Sequence, residues 1–140
     1  MDHQNFSEIT PELIRLAKLS EESDIIDTAL FTRYDVKRGL RDLNGKGVLA
    51  GLTTISDVRA TEVVNGQSVP AHGRLFYRGY DVKDLVHGFS SKNRFGFEEV
   101  TYLLLFNKLP NEKELDEFKE LLSGYRSLPT SFVRDIIMKA

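Results

Sequence analysis

Positively charged side chains are concentrated in one glycine-bearing stretch, and their types suit the binding of anions. Five cations lie within 14 residues: Arg33, Lys37, Arg38, Arg41 and Lys46. Guanidinium and ammonium groups gathered in this way can hold a phosphate or a carboxylate. A solvated surface loop has the same composition, so both interpretations stay open. The neighbouring glycines at positions 39, 45, 47 and 51 follow neither the P-loop nor the dinucleotide-binding pattern, so they do not predict a nucleotide site.

The other residue types that carry chemistry are scattered. His3, His72 and His87 are far apart, and none has a partner at the i, i+4 spacing that aligns two ligands on one helix face. We therefore predict no metal site and no histidine base here. Glu98 and Glu99 fall in the first turn of a predicted helix, where the helix dipole favours negative charge, so we interpret them as structural. Without cysteine, the chain has no thiolate ligand, thiol nucleophile or disulfide.

Length and charge limit the class of protein. A chain of 140 residues is long enough for one ordinary domain. With 19 basic and 21 acidic side chains the net charge is -2. The chain therefore has no large electrostatic field of one sign, and we predict no binding to nucleic acid or to a membrane. The first residues do not have the pattern of a secretory signal, and the apolar run at 102–106 is far shorter than the roughly 20 residues that span a bilayer. We predict a cytoplasmic protein.

The N-terminal part is predicted to be helical. Thr10 can cap a helix that starts at Pro11, where the missing N–H costs nothing. Ser23 or Asp24 is predicted to cap a second helix through residues 25–31. The polar stretch at 33–47 should then be a loop, and it contains the cations described above.

The middle of the chain is predicted to contain a hairpin. Asn65 and Gly66 tolerate the positive φ of a tight turn, and they stand between the strand-like residues 62–64 and 67–69. Pro70 and Gly73 are predicted to interrupt the strand before residues 74–77. Asp81 is predicted to cap a short helix that ends near residue 88.

The C-terminal part is predicted to be helical again. The helix from Phe97 is apolar nearly all round, which predicts burial inside a larger body. Asn111 and Glu114 form a cap pair in front of an amphipathic helix. A last helix over 129–140 has no C-cap, so we expect a piece of a longer chain that is truncated within this helix. A small natural protein that covers its core by self-association is the alternative.

Four segments, in order and spacing, resemble the opening of citrate synthases. They are GLR at 39–41, GVLAGLTTIS at 47–56, GRLFYRGYDVKDL at 73–85 and FEEVTYLLLFNKLP at 97–110. The resemblance implies a mainly α structure with a small β-hairpin region, as the N-terminal fragment of the all-α citrate synthase fold. It also implies two parts: a helical N-terminal leader at 1–37, and at 38–140 the N-terminal part of the large domain.

The resemblance further implies the condensation of acetyl-CoA with oxaloacetate to citrate and CoA. In that family an aspartate base and two histidines perform the reaction, and they come later than this segment. No catalytic residue is therefore expected here, and the fragment itself is expected to be inactive. Arg41, in Gly-Leu-Arg, matches a family arginine that approaches a phosphate of CoA. Acetyl-CoA is a substrate, so no separate cofactor is expected, and the family is usually a homodimer.

Two alternatives remain at this stage. A 2-methylcitrate synthase fragment would carry the same motifs, because the residues that form the acyl pocket are not in them. A non-catalytic helical interaction module is the alternative from a different class. It would bind a partner or a second copy through the apolar stripe at residues 132–140.

Overall fold

The fold combines helices with an antiparallel sheet. The computed structural model describes residues 7–37, 39–41, 48–128, 131–132, 135–136 and 138. Over these residues the helices are α1 (Pro11–Ser23), α2 (Ala29–Arg33), α3 (Val82–Ser90), α4 (Phe97–Phe106) and α5 (Glu112–Gly124). The strands are β1 (Ser56–Val64), β2 (Gln67–Tyr77) and β3 (Tyr80–Asp81), in the order β1-β2-β3. Most of the predicted last helix, at 129–130, 133–134, 137 and 139–140, lies outside the described residues.

The prediction of a mainly α fragment of an all-α fold, with only a small β-hairpin region, is wrong, because the described residues form a three-stranded antiparallel sheet beside the helices. β1 and β2 are nine and eleven residues long and pair along most of their length. Two tight turns build the sheet: Asn65 and Gly66 have φ of 53° and 77°, and Arg78 and Gly79 have φ of 46° and 86°. The first turn confirms the predicted hairpin. The second adds β3, through the pair Tyr77–Tyr80, and the sequence analysis did not predict it.

The predicted interruption at Pro70 and Gly73 is also wrong, because β2 passes through both residues. The pairing changes register between them, from Arg59 opposite Arg74 to Thr61 opposite Pro70. Such a bulge leaves extra residues unpaired in the ladder, and it is one of the few places in a sheet where proline is tolerated. The strand therefore continues across a proline that would break a regular one.

A helical core forms where α1, α4 and α5 meet. Its buried side chains are Leu16, Tyr102, Phe106 and Phe118. The three rings pack edge to face, with centroids 4.5 to 6.0 Å apart, which is the preferred geometry of aromatic pairs. Thr10 caps α1 as predicted, because its hydroxyl accepts a hydrogen bond from the Leu13 N–H at 3.3 Å.

The predicted start of the second helix at Ser23 or Asp24 is wrong. α1 itself runs to Ser23, and α2 begins five residues after Asp24, at Ala29. Both side chains are used elsewhere: the Ser23 hydroxyl donates to the Leu105 carbonyl at 3.2 Å, and the Asp24 carboxylate accepts from Arg78. These two polar residues therefore end α1 and join it to other elements, where local sequence suggested a new cap.

The later helices begin as predicted. The Asp81 carboxylate caps α3, which continues two residues past Gly88. Asn111 and Glu114 form a reciprocal capping box at the start of α5. α4 buries Tyr102, Leu103 and Phe106, while Phe97 and Leu105 stay exposed. No helix in the described part of the chain combines the length and apolarity needed to cross a bilayer.

Candidate functional site

A buried arginine lies at the centre of the contacts between the sheet and the helices. Arg78 sits in the turn between β2 and β3, and 1% of its side chain is exposed. Its Nε and Nη2 atoms donate to the Leu104 carbonyl at 3.1 and 2.8 Å. Nη1 donates to the Thr54 hydroxyl at 2.7 Å, and Nη2 also donates to the Asp24 carboxylate at 3.1 Å. The buried charge is thus paired with a carboxylate, and each of its three nitrogen atoms donates at least one hydrogen bond.

These contacts bring together three segments that are distant in sequence. Asp24 and Thr54 stand at the two ends of residues 24–55, which we call the anchored segment. The Arg78 N–H adds a backbone bond of 2.8 Å to the Ile55 carbonyl at the second end. Leu104 belongs to the last turn of α4, where carbonyls have no partner within the helix and attract positive charge. One residue therefore attaches both ends of the anchored segment to α4.

The anchored segment is closed again in its middle. The Lys37 N–H donates to the Leu49 carbonyl at 2.8 Å, and the Val48 N–H donates to the Leu40 carbonyl at 3.4 Å. Arg41 follows directly and is exposed. The structure thus places the predicted phosphate-binding arginine at the surface, next to these two backbone hydrogen bonds. Its role toward CoA stays a prediction.

The other cations of the predicted cluster lie in different surroundings. Arg33 lies over the ring of Tyr34, 5.7 Å from its centroid, and Lys37 pairs with Asp35 at 2.6 Å. Arg38 and Lys46 lie outside the described residues. Arg33 and Lys37 therefore have local partners of their own.

The remaining candidates from the sequence have structural surroundings. Glu98 accepts from Arg126 at 2.9 Å, and this bond holds the pKa of Glu98 below its usual value. Glu99 accepts from Arg94 at 2.7 Å. Both carboxylates lie in the first turn of α4, as predicted. Their pairing agrees with the structural interpretation.

The two histidines that the structure describes lie in different elements and at the surface. His72 is exposed in β2, His87 is exposed in the last turn of α3, and His3 is outside the described residues. No group of three histidine, aspartate or glutamate side chains that suits a metal ion is found among the residues that the structure describes.

Sequence reasoning did not recognise the importance of Arg78. Arg78 was used only as part of the segment at 73–85 that resembles citrate synthases, although the sequence contained a signal for its turn. Arg78-Gly79 stands between Tyr77 and Tyr80, and a pair with glycine at its second position suits a two-residue turn with positive φ. Its side-chain partners lie 24 to 54 residues away, so no local pattern indicates them.

A comparison with family models corrects the predicted position within the fold. A model described as "Citrate synthase, C-terminal domain" matches residues 40–140, more than two thirds of the chain. The prediction of an N-terminal fragment is therefore wrong in its placement, while the recognition of the family is confirmed.

Curated relatives point to the same family. The chain is 38% identical over 102 residues to 2-methylcitrate synthase 2 of Corynebacterium glutamicum, covering 73% of this chain and 21% of that protein. It is 40% identical over 84 residues to 2-methylcitrate synthase of Shewanella oneidensis, covering 60% and 18%. It is 38% identical over 66 residues to citrate synthase of Saccharolobus solfataricus, covering 47% and 16%.

The chain spans about a fifth of the length of these relatives, and no solved structure matches it. The family model nevertheless covers enough of the sequence to decide the assignment. The chain belongs to the citrate synthase family.

Proposed function

We propose that this chain serves the condensation of acetyl-CoA with oxaloacetate to citrate and CoA. The match of residues 40–140 to the family model carries this proposal. The exposed Arg41 supports it, because a guanidinium is well suited to the phosphates of CoA and this one stands at the surface of an anchored segment. CoA enters as part of a substrate, and the proposed reaction requires no separate cofactor.

We assign Arg41 a binding role toward a phosphate of CoA. Charge-assisted hydrogen bonds contribute about 1.5 to 3 kcal/mol, so the loss of this contact should weaken binding about tenfold or more. Calorimetric titration of the chain with CoA and with 3′-dephospho-CoA measures the effect. Arg41→Ala should weaken the binding of CoA much more than that of 3′-dephospho-CoA if the 3′-phosphate is the partner.

A matched control is Arg59→Ala, which removes an exposed arginine from β1, where it pairs with Asp57 at 2.6 Å. This variant should bind CoA as the wild type does. Equal losses in the two variants would reject a specific role for Arg41. Absence of CoA binding to the wild-type chain would reject the proposed function of this chain and leave the interaction module as the better hypothesis.

The second candidate is a 2-methylcitrate synthase, and the names of two of the relatives above favour it. Its product has one methyl group more than citrate, so its acyl donor would be propionyl-CoA. Comparing acetyl-CoA and propionyl-CoA in one assay, with the chain as part of an active enzyme, distinguishes the two reactions. The ratio of kcat/KM for the two donors decides between them.

The isolated 140-residue chain is expected to form no citrate, and we expect a homodimer where the active enzyme assembles. The chain has no cysteine, so released CoA can be measured with a thiol reagent without background from the protein. Turnover that disappears in His72→Ala or His87→Ala would contradict the prediction that catalytic residues lie elsewhere.

A further inference from the structure

The function proposed above does not explain why the charge of Arg78 is buried. A fully buried arginine is rare unless it is paired, and this one is paired with a carboxylate whose own side chain is 56% exposed. Its bonds reach three separate segments. The arrangement therefore joins parts of the chain, and it suggests a task beyond filling space.

Arg78 binds the anchored segment at both ends. Asp24 at one end and Thr54 with Ile55 at the other accept bonds of 2.7 to 3.1 Å from this single residue. Between these ends, the backbone bonds of Lys37 and Val48 bring the two halves of the segment together just before Arg41. Arg41 therefore stands next to the point where the two halves of the segment are joined, and both halves lead back to Arg78.

We propose that Arg78 is a positioning residue, whose guanidinium fixes both ends of the anchored segment on the last turn of α4 and so sets where Arg41 is presented. The consequence for CoA rests on the proposed function. The attachment itself does not, because it follows from the contacts of Arg78 alone.

The geometry requires the planar fork of arginine. Nε and Nη2 share the Leu104 carbonyl, while Nη1 points to Thr54 and Nη2 to Asp24. A lysine carries its donors on one nitrogen and cannot reach all three acceptors in these directions. Arg78→Lys keeps the charge and loses the simultaneous attachment, so it isolates the positioning role from the charge.

Hydrogen exchange with mass spectrometry tests the attachment directly. In Arg78→Lys, peptides from residues 25–37 and 48–55 should exchange about tenfold faster or more, since charge-assisted bonds to both ends are lost. Peptides from α5 should stay within about twofold of the wild type. Equal acceleration in all peptides would mean that Arg78 only stabilises the whole fold, and unchanged exchange at 25–37 and 48–55 would reject the attachment.

Thr54→Val provides a milder variant if Arg78→Lys does not fold. It removes one acceptor at the surface and should accelerate exchange at 48–55 more than at 25–37. The matched control is Arg94→Lys, because Arg94 pairs at 2.7 Å with Glu99, in the first turn of α4 and away from the turn that holds Arg78. Acceleration at 48–55 in the control equal to that in Thr54→Val would overturn the proposal.

Titration with CoA tests the consequence for Arg41. Arg78→Lys should weaken CoA binding severalfold. Arg41→Ala and the double variant Arg41→Ala/Arg78→Lys should bind CoA with equal affinity, because the positioning acts through Arg41. Additive losses would overturn the action through Arg41. If the wild-type chain binds no CoA, the proposed function fails, and the exchange experiment still decides on the attachment.

Discussion

The helical core and the hairpin of β1 and β2 are stabilised by different means. In the core, Tyr102, Phe106 and Phe118 are each no more than 6% exposed and contact one another through their rings. In the hairpin, every residue of β1 is exposed, with Val58 at 71% and Val63 at 75%. Side-chain burial stabilises the first region, whereas backbone pairing and turn geometry stabilise the second.

The difference teaches where each kind of substitution should act. Apolar burial contributes in proportion to the area removed from water, so truncation should be costly in the core and cheap in the hairpin. A change in backbone preference at a turn should be costly in the hairpin, because an isolated two-stranded hairpin is marginal in stability. The Arg78 turn joins the two regions, since its backbone connects β2 with β3 and its side chain contacts α4.

The largest effect is expected from Phe118→Ala. This ring is buried between Tyr102 and Phe106, and its loss should lower the free energy of unfolding by about 3 to 5 kcal/mol. Urea unfolding followed by circular dichroism measures it. Phe95→Ala is the matched control, because that ring is 92% exposed and its removal should change stability by less than about 0.5 kcal/mol. Similar losses in both variants would remove the distinction between core and surface.

A smaller effect is expected from Gly66→Ala in the hairpin turn. Gly66 has φ of +77°, and a left-handed conformation costs an L-residue about 1 to 2 kcal/mol. Exchange of the β1 and β2 amides should accelerate, while amides of α5 should keep their protection.

Gly73→Ala is the control within the same hairpin. An added Cβ at Gly73 meets no atom within 4 Å, and its backbone has no positive φ. This variant should be neutral or slightly stabilising, since alanine restricts the unfolded chain. If Gly73→Ala loosened the strands as much as Gly66→Ala, turn geometry would not be what stabilises the hairpin.

Local features of the fold were predictable from the sequence. Thr10, Asp81 and the pair of Asn111 and Glu114 cap helices as expected, and Asn65-Gly66 forms the predicted turn. Each of these depends on residues within a few positions of each other. The predicted start of the second helix was wrong because it took only local sequence into account. Asp24 is a suitable residue type for a cap, but its carboxylate pairs with Arg78, 54 residues away.

Non-local features were not predictable. The bulge opposite Ala60 lets β2 continue through Pro70, and it depends on how two strands align. Arg78 was missed because its acceptors on Asp24, Thr54 and Leu104 are brought together by the fold alone. The candidate role of Arg41 came from the family resemblance, and the structure adds its exposure and the attachment of its segment.

The smallest effect is expected from Glu114→Gln at the cap of α5. The Glu114 carboxylate accepts a hydrogen bond from the Lys108 ammonium at 2.6 Å and another from the Asn111 N–H at 3.0 Å. These two bonds hold the pKa of Glu114 below its usual value. The carboxylate therefore stabilises the fold fully above its usual pKa of 4.5, and this contribution is lost as pH falls through the lower folded value. The same bond raises the pKa of Lys108, so its contribution is lost only at strongly basic pH.

Glutamine can still accept from the Asn111 N–H, so Glu114→Gln removes the ion pair and keeps the cap. At neutral pH the variant should be less stable by under about 1 kcal/mol, as for other exposed pairs. Urea unfolding at several pH values should show the two curves converging as Glu114 of the wild type becomes protonated. Glu117→Gln in the same helix is the control, with a smaller loss expected because its partner Lys113 is 3.7 Å away and 85% exposed. A difference between Glu114→Gln and wild type that persisted in strong acid would show that the ion pair is not its cause.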